Sequence, residues 1–383
     1  MLLDAERILE NAANRLGLLQ YTTDDIRARF SAYIDLFNAE GVIEAADFPR
    51  AAEQMEYFVG TRLQLERDWT THPEILAQPV TNPFFVIGHP RSGTTILQCL
   101  LGLDRGHRMP RYWEVRHPSP PPGLVPVADA ASLAAENTHI SELLNIVPTL
   151  LSAHPYIEQL GLSEAECEDI VTPDFHMLHT MHFTRVPSLP YPVMPADGVA
   201  MFEFHKKMLQ QFQWKTPTER WVCKGTTHQY NLPALWQVYP DATCFWAHRA
   251  PEDYFASFFE MMEMLYAPIN KYLYKGIDVR GVIEAMKMAY DYMLNSAWID
   301  DPRICHIRFK DFVRDPVQTI RGAYEAQGIP FTPAYEAAIG SWFDNPANRS
   351  DRHGKFHYSL EKFGLSPNEI REAFAGYYER FDL

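Results

Sequence analysis

Gly88 and Gly93 are separated by four residues in the stretch FFVIGHPRSGTTILQCLLG (residues 84–102), and Thr95 follows two places later. This is the spacing of the GxxxxGK[ST] phosphate loop, with a hydroxyl where such a loop carries one. The glycines let backbone N–H groups turn inward, and a helix N-terminus behind them adds partial positive charge, so a phosphate-like anion is favoured. A nucleotide triphosphatase would use a lysine on the β- and γ-phosphates and the hydroxyl on Mg²⁺. Here Thr94 takes the lysine's place, and the nearest cation is Arg91, inside the loop. The later run ATCFWAHR ends in His248 and Arg249, with no acid to hold a metal. A γ-phosphoryl transferase built this way would lack the main charge stabilisers of its transition state.

The surrounding pattern says what must position these residues. FFVIG is a continuous apolar run of the kind found in buried parallel strands. RWVCKG, ATCFWAHR and ICHIRFKDF have the same character, and each precedes a helical pattern, the last of these helices ended by Gly328. Strands alternating with helices predict an α/β fold: a P-loop-like parallel sheet flanked by helices. Ligands of such sheets bind beyond the strand C-terminal ends, which places Arg91, Lys224, His228 and Arg249 on one rim. Residues 1–75 read as a helical N-terminal segment packed on the core. Residues 76–383 read as a single α/β domain, with a helical insertion around 128–215 expected to form an acceptor pocket. RHPSPPPGLVPV is too rich in proline for helix or central strand and predicts a surface loop that can wall a site.

Composition narrows the ligands. The chain of 383 residues has a net charge of −15, which argues against wrapping nucleic acid or a heparin-like polymer, although a local cluster of arginines can still hold a small anion. Its five cysteines are spread out with no CxxC pair, as expected of buried thiols in a reducing compartment. The opening residues carry acids where a secretory signal needs a basic flank, and no apolar run is long enough to cross a membrane. A cytoplasmic location is the expectation.

GHPRSGTT followed by RYWEVRHPSPPP resembles the 5′-phosphosulfate loop and downstream segment of sulfotransferases that use 3′-phosphoadenosine 5′-phosphosulfate (PAPS). The likeness is to the bacterial branch with a Trp-Glu and polyproline element. It continues in family order through HPYIEQLGLSEAECEDI, RWVCKGTTHQYNLPALWQVYPDATCFWAHRAPEDYFAS, RFKDFVRDPVQTIRGAYEAQGI and GKFHYSLEKFGL, roughly residues 80–380.

The resemblance implies roles. Ser92, Gly93, Thr94 and Thr95 would cradle the 5′-phosphate, with Arg91 and Lys224 as cations aimed at the charge that develops when it leaves. No metal is expected in the transfer. The acceptor must lose a proton, and His228, four residues after Lys224, is the preferred base, with Glu114 beside Trp113 as its rival. Arg249 and Ser257 would bind the 3′-phosphate, and Lys355 in a late closing loop would add a contact. Glu166-Cys167 matches a Glu-Cys element of the branch. The chain departs from it in three places: Ala250 replaces an aspartate, Glu260 a serine, and Gly225-Thr226 a Ser-Pro pair.

The expected reaction is sulfuryl transfer to a hydroxyl or amine of a small, apolar or lipid-like acceptor, releasing 3′-phosphoadenosine 5′-phosphate (PAP). A kinase-like phosphotransferase and a non-catalytic nucleotide-binding relative are the alternatives. Neither nucleic acid nor a membrane span is expected as part of its biology, and homodimerisation is left open. His176, His179 and His182 recur at spacings of three without an HExxH pattern, which predicts helix packing or a pocket wall rather than a metal site.

Overall fold

The computed structural model describes residues 1–39, 45–46, 48–127, 130–176, 198–269 and 276–383. Five parallel strands form one sheet in the order β2-β3-β1-β4-β5. They are β1 (Phe84–Ile87), β2 (His107–Arg108), β3 (Arg220–Gly225), β4 (Thr243–His248) and β5 (Ile304–Arg308). The two-residue edge strand β2 is too short for any periodicity to announce it. All four residues of central β1 are buried, as a strand covered by helices on both faces requires.

Alternation of side chains divides the core between the two faces. Phe84, Val86, Val222, Phe245 and Ile307 pack with Leu97 and Tyr324 on one face. Phe85, Ile87, Trp221, Cys223 and Trp246 pack with Phe202, Leu235 and Phe255 on the other. The same rule separates two neighbours in β3. Cys223 enters the second face, whereas Lys224, in register with Val86, turns toward the helix Thr94–Leu101 on the first.

The chain runs from β1 outward to β2 on one side, then crosses back after β3 to add β4 and β5 on the other. This reversal opens a crevice beyond β1, where doubly wound sheets bind ligands. Between β2 and β3 the described residues are mostly helical, including Ala131–Ile146, Cys167–Val171 and Gly198–Gln213. The first 75 residues contribute helices Ala5–Leu16, Asp24–Ala39 and Phe48–Thr71, with a core of their own that includes Ile8, Phe30, Met55 and Phe58. Phe175 packs into that core, and Arg62 binds Asp174 at 2.5 Å, so this segment is tied to the insertion. Among the described residues no helix is long and apolar enough to cross a membrane.

Candidate active site

The loop after β1 turns because three residues adopt positive φ: Gly88 at 134°, Arg91 at 73° and Gly93 at 93°. A Cβ on Gly88 would lie 2.6 Å from the Ala247 carbonyl oxygen of β4, and one on Gly93 would lie 2.7 Å from the Phe309 ring. Glycine is required at both for close approach as well as for conformation. Arg91 has no such excuse, and its left-handed backbone costs about 1 kcal/mol or more. Ser92 helps to hold the turn, its hydroxyl donating to the His89 carbonyl at 2.7 Å.

The loop opens onto a cavity of about 610 Å³ lined by Arg91, Gly93, Thr94, Thr95, His154, Tyr156, Arg249, Phe309, Lys355, Phe356 and Tyr358. Two guanidiniums meet on its wall. Arg249 donates to the Arg91 carbonyl at 2.8 Å and to the Tyr358 hydroxyl at 3.2 Å, and lies over the Phe309 ring. Arg91 donates through Nε to Ser257 at 2.9 Å and lies against Phe356. Burial, and then the charge of Arg249, push Arg91 down to about 10, so it still carries its proton at neutral pH. Two like charges held together in a half-enclosed space favour an anion between them, and a planar fork suits a phosphate or sulfate.

Lys224 reaches the loop from β3. Its ammonium donates to Thr95 Oγ1 at 2.9 Å and to Glu166 Oε1 at 2.6 Å. A carboxylate, an ammonium and the first turn of the loop helix are thus joined in series. His154 lines the same cavity, and burial followed by repulsion from Lys224 pushes its imidazole down to about 3. It is neutral there and can offer a nitrogen without adding charge. The late segment lines the cavity with Ser350, Asp351 and Gly354–Phe356 and is tied to Glu158 by Arg352 and His353, at 2.6 Å and 2.5 Å. Lys355 is exposed on that rim.

The structure therefore brings together Arg91, Gly93, Thr94, Thr95, Lys224, Arg249 and Lys355, with Ser92 and Ser257 supporting them from behind. It does not bring either expected base to them. His228 is 1% exposed, on the opposite face of the sheet from Lys224, with its ring against Phe85 and Phe202. Glu114 lines a different cavity, of about 730 Å³, that shares no lining residue with the first. There it forms an ion pair with Arg108 and accepts from the Arg111 backbone N–H at 3.2 Å, closing the first turn of the helix Tyr112–Arg116. Burial raises its carboxyl above the ordinary range, against the pull of Arg108. The proline-rich segment walls this second cavity through Pro122–Val127 rather than the first.

The three departures from the resembled pattern have physical accounts. A Cβ at Gly225 would lie 2.4 Å from the His228 ring, so glycine makes room for that imidazole. Thr226 donates its backbone N–H to Glu168 at 2.7 Å, which proline could not do. Arg249 is aimed by the Arg91 carbonyl and the Phe309 ring, without an aspartate at 250. Glu260 binds Lys362 at 2.8 Å instead of facing the loop. Of the histidine triplet, His176 pairs with Asp174 at 2.7 Å, and His179 and His182 lie outside the described residues.

The residues that sequence reasoning missed are Glu166 as a partner of Lys224, and His154, Tyr156 and Tyr358 as cavity walls. HPYIEQLGLSEAECEDI carried the first three as a motif, but no spacing links Glu166 to a lysine 58 residues later.

Known proteins resemble this chain in sequence and fold. The sulfotransferase family profile matches residues 83–333. The omega-hydroxy-beta-dihydromenaquinone-9 sulfotransferase Stf3 of Mycobacterium bovis is 22% identical over 272 residues, covering 67% of this chain, and the same protein from Mycobacterium tuberculosis matches equally. The chain spans 64% of the length of these relatives. The crystal structure of sulfotransferase STF9 from Mycobacterium avium superposes with a TM-score of 0.78 at 26% identity, covering 99% of this chain and 97% of that one. STF1 from Mycobacterium tuberculosis H37Rv shares the fold at a TM-score of 0.72 and 20% identity, covering 98% of this chain and 99% of that one. With a family profile that matches residues 83–333, a range containing all five strands, the chain belongs to the sulfotransferase family.

Proposed function

We propose that this protein transfers a sulfuryl group from PAPS to a hydroxyl on an apolar, lipid-like acceptor and releases PAP. The observation that carries the reading is the convergence of Arg91, Lys224 and Arg249 on the N-terminus of the helix Thr94–Leu101. The loop N–H groups and Thr94–Thr95 bind the 5′-phosphate, and Arg249 with Lys355 binds the 3′-phosphate. Ser257 holds Arg91 in place rather than touching the nucleotide.

Glu166 replaces His228 and Glu114 as the proposed base. As the acceptor oxygen bonds to sulfur, its proton passes to the Glu166 carboxylate and the bond from sulfur to the bridging phosphate oxygen breaks. The electron pair stays on that oxygen, where Lys224 and Arg91 stabilise the growing charge. Lys224 contacts both Thr95 and Glu166, so one residue couples the leaving phosphate to the base.

The acceptor class is supported by the hydroxylated isoprenoid quinone in the name of the Stf3 relatives and by a net charge of −15, which disfavours polyanionic polysaccharides. Thermal shift with PAP against Mg-ATP tests donor class. Stabilisation by PAP and not by Mg-ATP is expected, and the reverse would replace the reading with a phosphotransferase. Labelled-sulfate transfer to long-chain alcohols, sterols and hydroxylated quinones tests turnover. Tight PAP binding with no transfer to any of them would favour a nucleotide-binding relative without activity.

A further inference from the structure

Directly beneath the Glu166–Lys224 pair lie their chain neighbours Cys167 and Cys223, both fully buried. The two sulfurs and a ring nitrogen of His205 lie within 4.8 Å of one another. These residues come from three elements, the helix Cys167–Val171, the helix Gly198–Gln213 and β3, so no local turn forces the meeting. The His228 ring stands beside the Cys167 thiol and 6.3 Å, centroid to centroid, from His205.

Hydrogen bonding here is incomplete in one particular way. His205 Nδ1 is paired with the Tyr239 hydroxyl at 2.8 Å, whereas its Nε2 is buried without a partner. Both ring nitrogens of His228 are likewise buried, with the Cys167 thiol the polar group beside them. Buried polar atoms are rarely left without a partner, and each costs about 1–3 kcal/mol. A metal-bound histidine shows the pattern of His205: one nitrogen fixed by an outer partner, the other free for the ion.

The geometry points to a buried divalent-metal site of the zinc class, with Cys167, Cys223 and His205 as its ligands and His228, outside that set, as the side chain that would have to turn in as the fourth. Two cysteines and two histidines are a common tetrahedral zinc set, with Zn–S near 2.3 Å and Zn–N near 2.0 Å. Ligand atoms then lie about 3.3–3.8 Å apart, so the three atoms now within 4.8 Å must close by no more than about 1.5 Å. Charge also balances. Zn²⁺ with two thiolates and two neutral imidazoles has no net charge, as a fully buried position demands, and binding releases the two thiol protons. The sequence expectation that no metal takes part in sulfuryl transfer is untouched, because the site lies inside the second face of the sheet. Its effect would be positional: fixing Cys167 to Cys223 fixes the backbone of Glu166 and Lys224, one residue along on each element.

Metal analysis of the purified full chain from zinc-supplemented cells tests the site without reference to activity. About one zinc per chain that survives desalting is expected. Growth or refolding with Co²⁺ should give a thiolate-to-cobalt charge-transfer band with tetrahedral visible absorption. Cys223→Ser and His205→Gln should lose the zinc and the band, with circular dichroism reporting whether each folds. Should both variants fail to fold, the wild-type cobalt spectrum decides alone. Less than about a tenth of a zinc per chain together with no cobalt band would overturn the proposal. So would full metal content in both folded variants.

Discussion

The assignment of Glu166 as base can be tested by Glu166→Gln. The amide keeps an oxygen that accepts from Lys224, now at 2.6 Å from the carboxylate, and Lys224 keeps its 2.9 Å bond to Thr95. The cationic wall of Arg91 and Arg249 is untouched. PAP affinity should therefore hold, or tighten slightly because Lys224 loses a counter-charge. What disappears is the ability to take a proton from the acceptor, worth about 10²–10⁴ in rate, or about 3–5 kcal/mol of transition-state stabilisation. The expected result is a fall in kcat of at least about a hundredfold with an unchanged PAP Kd, measured by labelled-sulfate transfer and titration calorimetry. Glu114→Gln is the comparison. Glu114 holds Arg108 and a helix first turn beside the other cavity, so its loss should lower Tm, with kcat within about threefold of the parent. If Glu166→Gln turns over at the parental rate, the reasoning is wrong. A hundredfold loss in Glu114→Gln without a change in Tm would return the base to Glu114.

Further outcomes follow from the same geometry. Arg249→Ala removes one of two paired guanidiniums, and losing a charge-assisted contact of about 1.5–3 kcal/mol should weaken PAP binding about 10- to 150-fold by calorimetry. Gly225→Ala places a Cβ 2.4 Å from the His228 ring and should destabilise the fold by about 1–3 kcal/mol in denaturant titration. Burial, then the Glu166 charge, raise Asp169 to about 8, so it is protonated in the folded protein at neutral pH and ionised in the unfolded chain. Its contribution is present in full below the unfolded pKa and declines by about 1.4 kcal/mol per pH unit from about pH 4 to about pH 8. Asp169→Asn should therefore gain stability relative to the parent as pH rises from 5 to 8, and equal Tm differences at both ends would refute this.

Much of the loop cavity and its cationic wall was legible because it is local. The glycine spacing around Arg91, the strands that feed the rim, and Lys224 and Arg249 at strand ends all lie within short segments whose period and punctuation are physical signals. The expected bases lie away from the loop for a reason that linear spacing hides. His228 follows Lys224 by four residues, yet it packs on Gly225 and Phe85, on the face that Cys223 enters, while Lys224 faces the loop helix. Glu114 is the rival base expected beside Trp113, but Arg108, on an edge strand of two residues, pairs with it.

By itself the sequence determined a parallel α/β sheet, a glycine loop carrying Arg91, and a rim of arginine and lysine, since these depend on residue type and near-neighbour spacing. Only the tertiary structure decided that Glu166 meets Lys224, that Arg91 and Arg249 share one wall, and that two cysteines and two histidines gather beneath them. The first two pairings join residues 58 and 158 positions apart in the chain. They arise from the order in which strands join the sheet and the face each side chain takes, which no window of the sequence contains.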